Sequence, residues 1–178
     1  LQELPTRCYG TYGMTETVSH IALREINSER KSPAYFALGK VSFSTDERGC
    51  LVINTPHLQQ QRFITNDIVQ LVDTTHFEWL GRHDNVINSG GVKLFPESIE
   101  ARIASFLSQR FFITAEDDNR LGQKAVLVIE SLPWDEAECQ QLLSRLKSCL
   151  SPYEVPKNIY FQEHFTETYS GKIVRKIK

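Results

Sequence analysis

The stretch Gly81–Glu100 reads GRHDNVINSGGVKLFPESIE. Two short runs, Asn85–Ser89 and Val92–Leu94, flank Gly90–Gly91. A glycine pair between such runs predicts a β-hairpin, because tight hairpin turns need positive φ. Pro96 follows where a first helical residue would stand; there its missing N–H costs nothing and its fixed φ suits a helix. Behind it Ile99, Ile103, Phe106 and Leu107 recur at helical spacing.

C-terminal to this core the pattern continues regularly. Strands are predicted at Arg110–Ala115 and Lys124–Ile129, and a second amphipathic helix over Asp135–Leu150. That helix shows Cys139, Leu142, Leu143, Leu146 and Leu150 on one face, and Pro152 and Pro156 end it. Asn158–Gln162 reads as a last strand, and the tail Tyr169–Lys178 is rich in basic residues. Hairpin, helix, two strands, helix and strand make a compact α+β domain.

N-terminal to the core the chain changes character. Tyr9–Leu23 mixes Gly, Thr and apolar residues, and Arg24–Ser32, ending at Pro33, has the composition of a surface loop. Short β-type runs follow at Leu38–Ser44, Cys50–Asn54, Asp67–Val72 and Phe77–Leu80, with turns at Asp46–Gly49, Pro56 and Asp73–Thr75. Closely spaced short strands predict a small barrel or sandwich. The boundary falls at Arg82–Asn85, dividing the chain into 1–83 and 84–178.

Composition narrows the function classes. The chain has 178 residues, 40% of them hydrophobic, and a net charge of −2. That balance argues against a nucleic-acid partner, since phosphate backbones select basic domains. No apolar run approaches the ~20 residues of a membrane span. Leu1–Arg7 lacks the apolar core of a signal peptide. The first residue is Leu, so loss of an upstream targeting segment stays open. Cys8, Cys50, Cys139 and Cys149 form no CxxC pair and no zinc-type cluster, which reads as single thiols in a reducing cytoplasm. Of the five histidines only His20 stands out.

Four segments carry candidate chemistry: YGTYGMTET at Tyr9–Thr17, FITND at Phe63–Asp67, the Gly81–Glu100 stretch, and YSGKIVR at Tyr169–Arg175. Each alone is explicable as fold. Together and in this order they resemble the adenylate-forming superfamily of acyl-CoA synthetases, peptide-synthetase adenylation domains and luciferases. The third segment resembles the family pattern GRxDxxIxxxGxKxxPxEIE, and LSPYEVP at Leu150–Pro156 a further motif. The resemblance covers essentially the whole chain. It implies the end of a large N-terminal domain with a small β-barrel-like subdomain, followed by a compact α+β lid domain. The family's Gly/Ser/Thr-rich phosphate loop lies upstream of the matched region, so about half of a typical member is expected to be missing here.

The family attaches AMP to a carboxylate, releasing pyrophosphate, and CoA then displaces AMP. The resemblance therefore implies ATP, Mg²⁺ and coenzyme A as cofactors and a small carboxylic acid as substrate. By the same resemblance Tyr12 stacks on adenine, Thr15 offers its hydroxyl to the α-phosphate, and Glu16 ligates Mg²⁺, a hard cation that prefers oxygen. Asp67 accepts from the ribose hydroxyls. Arg82 contacts the ribose region, and Asp84 is the hinge. Lys172 reaches the site during adenylation, and Gly90 and Gly91 line the CoA channel once the lid has swung round. Two departures stand out. Asn66 occupies the usual glycine of TGD; since Asn tolerates positive φ, the turn is expected to survive. Thr166 replaces a proline six residues before the lysine, which questions the loop's rigidity.

The continuation YGMTETVSHIALR resembles o-succinylbenzoate–CoA ligases of the menaquinone pathway. Ser19 and His20 can donate hydrogen bonds to the second carboxylate of that acid; the plainer alternative is a histidine packed on a strand. A ligase for another aryl or fatty acid, or a non-catalytic nucleotide-binding module, are the competing readings. A peptide-synthetase domain would be expected to continue into a carrier domain, and is disfavoured because the given sequence stops at Lys178, shortly after the lysine motif. The isolated chain is expected to be inactive, and to self-associate through apolar surface around Ile21–Leu23 meant for the missing half.

Overall fold

A computed structural model describes residues 4–27 and 32–177. The chain divides into two compact units, Leu1–Asp84 and Asn85–Lys178. The class is α+β, with predominantly antiparallel sheets.

The first unit is a seven-stranded antiparallel sheet. Its strands are β1 (Tyr9–Gly13), β2 (His20–Glu25), β3 (Ala34–Ala37), β4 (Ser42–Thr45), β5 (Cys50–Asn54), β6 (Arg62–Leu71) and β7 (His76–Arg82). The spatial order is β1-β2-β3-β7-β6-β5-β4. Phe43, Leu51, Ile53 and Phe77 are fully buried in its core. The sheet curls hard. β1 and β6 lie four strand spacings apart, about 19 Å if flat, yet the Tyr12 hydroxyl of β1 sits 2.6 Å from Asp67 of β6. Curling does not become closure, so the barrel expected from the short strands does not form. Among the described residues β1 and β4 pair on one side only. Closure needs edges of matched length and stagger, and β4 offers only four residues.

Other differences have local causes. The run Leu38–Ser44, expected as one strand, is split: Val41 N–H donates to the Leu38 carbonyl at 3.3 Å, closing a turn. The expected loop at Arg24–Ser32 lies outside the described residues at 28–31, and Arg24 and Glu25 still belong to β2. Of the apolar surface expected around Ile21–Leu23, Ile21 is 3% exposed and Ala22 0%, both packed into the core, and only Leu23 is partly exposed. Exposed apolar side chains on this unit are Leu4, Tyr9, Val18, Ile26, Ile64 and Val72.

The second unit opens with the hairpin β8 (Ile87–Ser89) and β9 (Val92–Leu94), then α1 (Pro96–Ile103) with Pro96 at its first turn. Strands β10 (Phe111–Asp118) and β11 (Gly122–Glu130) pair antiparallel. Helix α2 (Glu136–Lys147) follows, then β12 (Ile159–Gln162), which joins β11 in parallel. Side chains alternate across a strand, and here the two faces take different covers. Ile113, Leu127 and Ile129 meet Ile99, Ile103, Leu142 and Leu146 of the helices. Phe112 and Val128 face Phe165, Ile173 and Ile177 of the C-terminal tail.

Candidate functional site

The loop between β1 and β2 is shaped by a glycine that cannot be replaced. A Cβ on Gly13 would lie 2.6 Å from the Ser19 carbonyl oxygen, well inside van der Waals contact. The β1–β2 register also shifts between Tyr12 and Gly13. Inside the loop the buried Thr17 hydroxyl accepts from the Met14 N–H at 3.0 Å and lies 2.8 Å from the Met14 carbonyl. This knot folds Thr15–Thr17 into a single 3-10 turn. Thr15 and Glu16 are left exposed on it, and neither side chain makes a hydrogen bond or ion pair among the described residues. Val18 follows with φ 67°, and the Ser19 N–H donates to the Thr17 carbonyl at 2.7 Å. That is a strained γ-turn on a β-branched residue.

Tyr12 stands beside this loop, packed against Tyr35 and Phe77 with ring centroids 5.7 Å and 5.1 Å away. Its hydroxyl donates to Asp67 Oδ2 at 2.6 Å. Burial and the Asp67 carboxylate push the phenol pKa far up, so the hydroxyl stays a donor and is no base. Arg82, opposite Asp67 in the β6–β7 ladder, places Nη1 3.5 Å from Asp67 Oδ1. Its Nη2 lies 3.5 Å from Asp84. One oxygen of Asp67 thus faces a tyrosine and the other an arginine. The structure brings Tyr12, Asp67, Arg82 and Asp84 into one cluster, while His20 stands opposite Gly13 in the β1–β2 ladder and Ser19 precedes it.

Ser19 Oγ is 3.1 Å from His20 Nδ1, and both residues are exposed, so His20 is not a packed core histidine. Neither lines the open cleft formed by Glu16, Val18, Leu58, Gln60 and Phe63. The turn expected at Asn66 is also absent. Residues 62–71 form one strand, and among the described residues Val18 is the only non-glycine with positive φ. The irregularity is a bulge instead, described below.

In the second unit Gly90 and Gly91 have φ of 58° and 84°, the pair of left-handed residues that a two-residue hairpin turn requires. Lys172 lies in another, smaller hairpin. The Thr168 N–H donates to the Lys172 carbonyl at 2.8 Å, and the Val174 N–H to the Thr166 carbonyl at 2.8 Å. Thr166, in place of proline, therefore leaves the loop tied down. Arg175 clamps it from below, with Nη2 2.9 Å from Glu100 Oε2 and Nη1 3.0 Å from the Ile113 carbonyl. Arg110 pairs with Glu167 on the other side. The two hairpins attach far apart. Ser89 pairs with Gly122, whereas Ile173 packs near Val128, about 20 Å further along β11 at ~3.4 Å per residue.

Sequence reasoning missed Arg48, Arg110 and Arg175 as supports. Arg48 contacts Thr65 and Asn66 from 17 and 18 residues away, and no local pattern signals such a contact. At Ser98 the chain also departs from the third motif, which has Glu there.

No protein-family model matches the chain, but individual proteins do. The 2-succinylbenzoate–CoA ligase of Geobacillus sp. (strain WCH70) is 26% identical over 196 residues, covering 94% of this chain and 39% of the relative. The medium-chain acyl-CoA ligase Mig of Mycobacterium avium is 34% identical over 98 residues, covering 54% of this chain and 18% of the relative. An acyl-CoA synthetase (AMP-forming)/AMP-acid ligase II-like protein of Dyadobacter fermentans, solved crystallographically, is 42% identical with a TM-score of 0.51, covering 98% of this chain and 51% of that one. The homologues of this chain are thus acyl-CoA ligases of the AMP-forming superfamily. 2-Succinylbenzoate–CoA ligase is among them, and the Bacillus subtilis O-succinylbenzoate coenzyme A synthetase, solved with ATP and magnesium ion, shares the fold at a TM-score of 0.75 and 19% identity, covering 95% of this chain and 40% of that one. The chain therefore spans about 39–51% of the length of these full-chain matches. Among its described residues no helix is long and apolar enough to cross a membrane.

Proposed function

We propose that this chain carries the ribose-binding face and the lysine-bearing lid of an ATP-dependent acid–CoA ligase. The observation that carries the reading is the cluster of Tyr12, Asp67 and Arg82 beside an exposed Thr15 and Glu16. A carboxylate with one oxygen held by a donor and the other near a guanidinium is fixed in orientation and retains lone pairs for ribose hydroxyls. The Tyr12 ring offers adenine an aromatic face, and Thr15 supplies a free hydroxyl for the α-phosphate. Mg²⁺ is commonly held by one or two carboxylates together with substrate phosphates and water. Glu16, exposed and without a cation partner among the described residues, fits that mode, and those residues hold no all-protein metal cluster. When bound, the ion would neutralise charge on the phosphates.

Residues 84–178 act as the lid in this reading, with Asp84 as the hinge. Lys172 supplies a positive charge while pyrophosphate leaves. After the lid turns, the Gly90–Gly91 hairpin replaces it, its bare backbone leaving room for the arm of CoA. The rest of the nucleotide and acid site belongs to the part of the enzyme that the longer relatives have and these 178 residues do not include. By themselves these residues make no acyl-CoA. A reducing cytoplasm suits the four free thiols.

The acid is o-succinylbenzoate, and the pathway menaquinone synthesis. The TETVSH continuation supports this, with Ser19 and His20 exposed and able to donate to a second carboxylate. The 34% identity to a medium-chain ligase favours a fatty acid as the second reading. The test is to assay the enzyme that contains this chain with ATP, Mg²⁺ and CoA against o-succinylbenzoate, benzoate and octanoate. Preference for o-succinylbenzoate is expected. Preference for octanoate would move the assignment to the fatty-acid class. No AMP formed with any acid would remove the ligase reading.

A further inference from the structure

The strand that carries Asp67 is not held by its neighbours where holding is needed most. β5 and β6 pair at Val52–Ile64 and again at Cys50–Ile68, so Thr65, Asn66 and Asp67 bulge opposite Leu51 alone. The β6–β7 ladder begins only at Asp67–Arg82. Thr65 and Asn66 therefore lie outside both ladders. A side chain does the work of the missing ladder bonds.

That side chain is Arg48. Its guanidinium rests on Asp46, with Nε and Nη2 each 2.8 Å from Oδ2. From there Nη1 donates to Asn66 Oδ1 at 3.1 Å and Nη2 to the Thr65 carbonyl at 3.1 Å. The Arg48 turn is closed in its own right, since Asp46 Oδ1 accepts the N–H groups of Arg48 and Cys50, both at 2.9 Å. Below the bulge the Thr65 hydroxyl donates to the Leu51 carbonyl at 2.9 Å and accepts the Asp67 N–H at 3.0 Å. Both residues that lead into Asp67 are thus tied to one planar fork, a geometry that a lysine cannot reproduce.

We propose that Arg48 is a positioning residue for Asp67, acting through Asn66 and the Thr65 carbonyl. The proposal rests on the reading of Asp67 as the ribose acceptor. Its function is to hold the carboxylate at the height where both ribose hydroxyls can be met.

The test uses the enzyme that contains this chain, comparing ATP with 2′-deoxy-ATP. Arg48→Met is expected to raise KM for ATP about tenfold, the scale of one lost charge-assisted hydrogen bond. KM for the acid stays unchanged, and the preference for ATP over 2′-deoxy-ATP falls. Arg48→Lys recovers only part of that preference, and Asn66→Ala added to Arg48→Met worsens it little, because the two share one contact. If Arg48→Met proves too unstable to assay, Asn66→Ala alone, which keeps the Arg48–Asp46 pair, carries the same expectation in weaker form. Equal loss for both nucleotides would mean a merely structural role and overturns the proposal. Asp67→Ala separates the levels. If it abolishes the ATP preference while Arg48→Met and Asn66→Ala preserve it, only this proposal falls. If Asp67→Ala itself leaves the preference intact, the ribose reading falls and takes the proposal with it.

Discussion

At the scale of single residues, the Tyr12–Asp67 bond makes a pH prediction. The Tyr12 pKa is raised in the fold above its ordinary value of 10.0. The folded state therefore keeps a proton that the unfolded chain loses above that pH. Its stabilisation is full below about pH 10 and declines as pH rises further. Tyr12→Phe should abolish this component, so the gap in denaturation midpoint between wild type and variant narrows from pH 8 to pH 11. A gap that stays constant would mean the hydroxyl is not held as described. Val18 makes the opposite kind of prediction. A β-branched residue at positive φ costs roughly 1–3 kcal/mol, and glycine costs up to about 1 kcal/mol in the unfolded chain. Val18→Gly should therefore raise stability by about 1 kcal/mol, read by urea denaturation. A loss would show that Val18 packs usefully in some state.

At the scale of elements, the Lys172 hairpin is an anchored device. Arg175→Met removes a half-buried fork onto Glu100 and should cost about 1.5–3 kcal/mol in thermal or chemical denaturation. Lys172→Ala, at an exposed tip, should cost almost nothing in the same assay. Equal costs would contradict the anchoring described. The elements also show what a sequence can tell. The second unit was legible because its signals are local: Gly90–Gly91 demands a hairpin, Pro96 starts α1, and the apolar face of Leu142 and Leu146 marks α2. The first unit was less so. β3 is four residues held by β2 and β7, a tertiary placement that no period reveals. FITND reads as a turn only when judged by its neighbours in sequence, and it is a bulged strand because Arg48 and Leu51 support it. The candidate site residues stand out in the sequence as a set of motifs. The hydrogen bond from Tyr12 to Asp67 does not, because it depends on a curl of the sheet that no strand encodes alone.

At the scale of the molecule, the two units meet at Asp84 and Asn85. Asp84 is the hinge in the proposed reading; it is exposed, and its long ion pair to Arg82 adds little stability. Asp84→Pro, which fixes φ near −65°, should preserve one half-reaction and lose the other. Uniform mild loss would place the hinge elsewhere. The central claim is that Lys172 belongs to adenylation and not to thioester formation. The measurement is Lys172→Ala in the enzyme that contains this chain, with the two half-reactions assayed separately. Formation of acyl-adenylate from ATP and acid should fall about 100- to 1,000-fold, while acyl-CoA formation from a supplied acyl-adenylate should stay within twofold of wild type. Equal loss in both half-reactions would contradict the account.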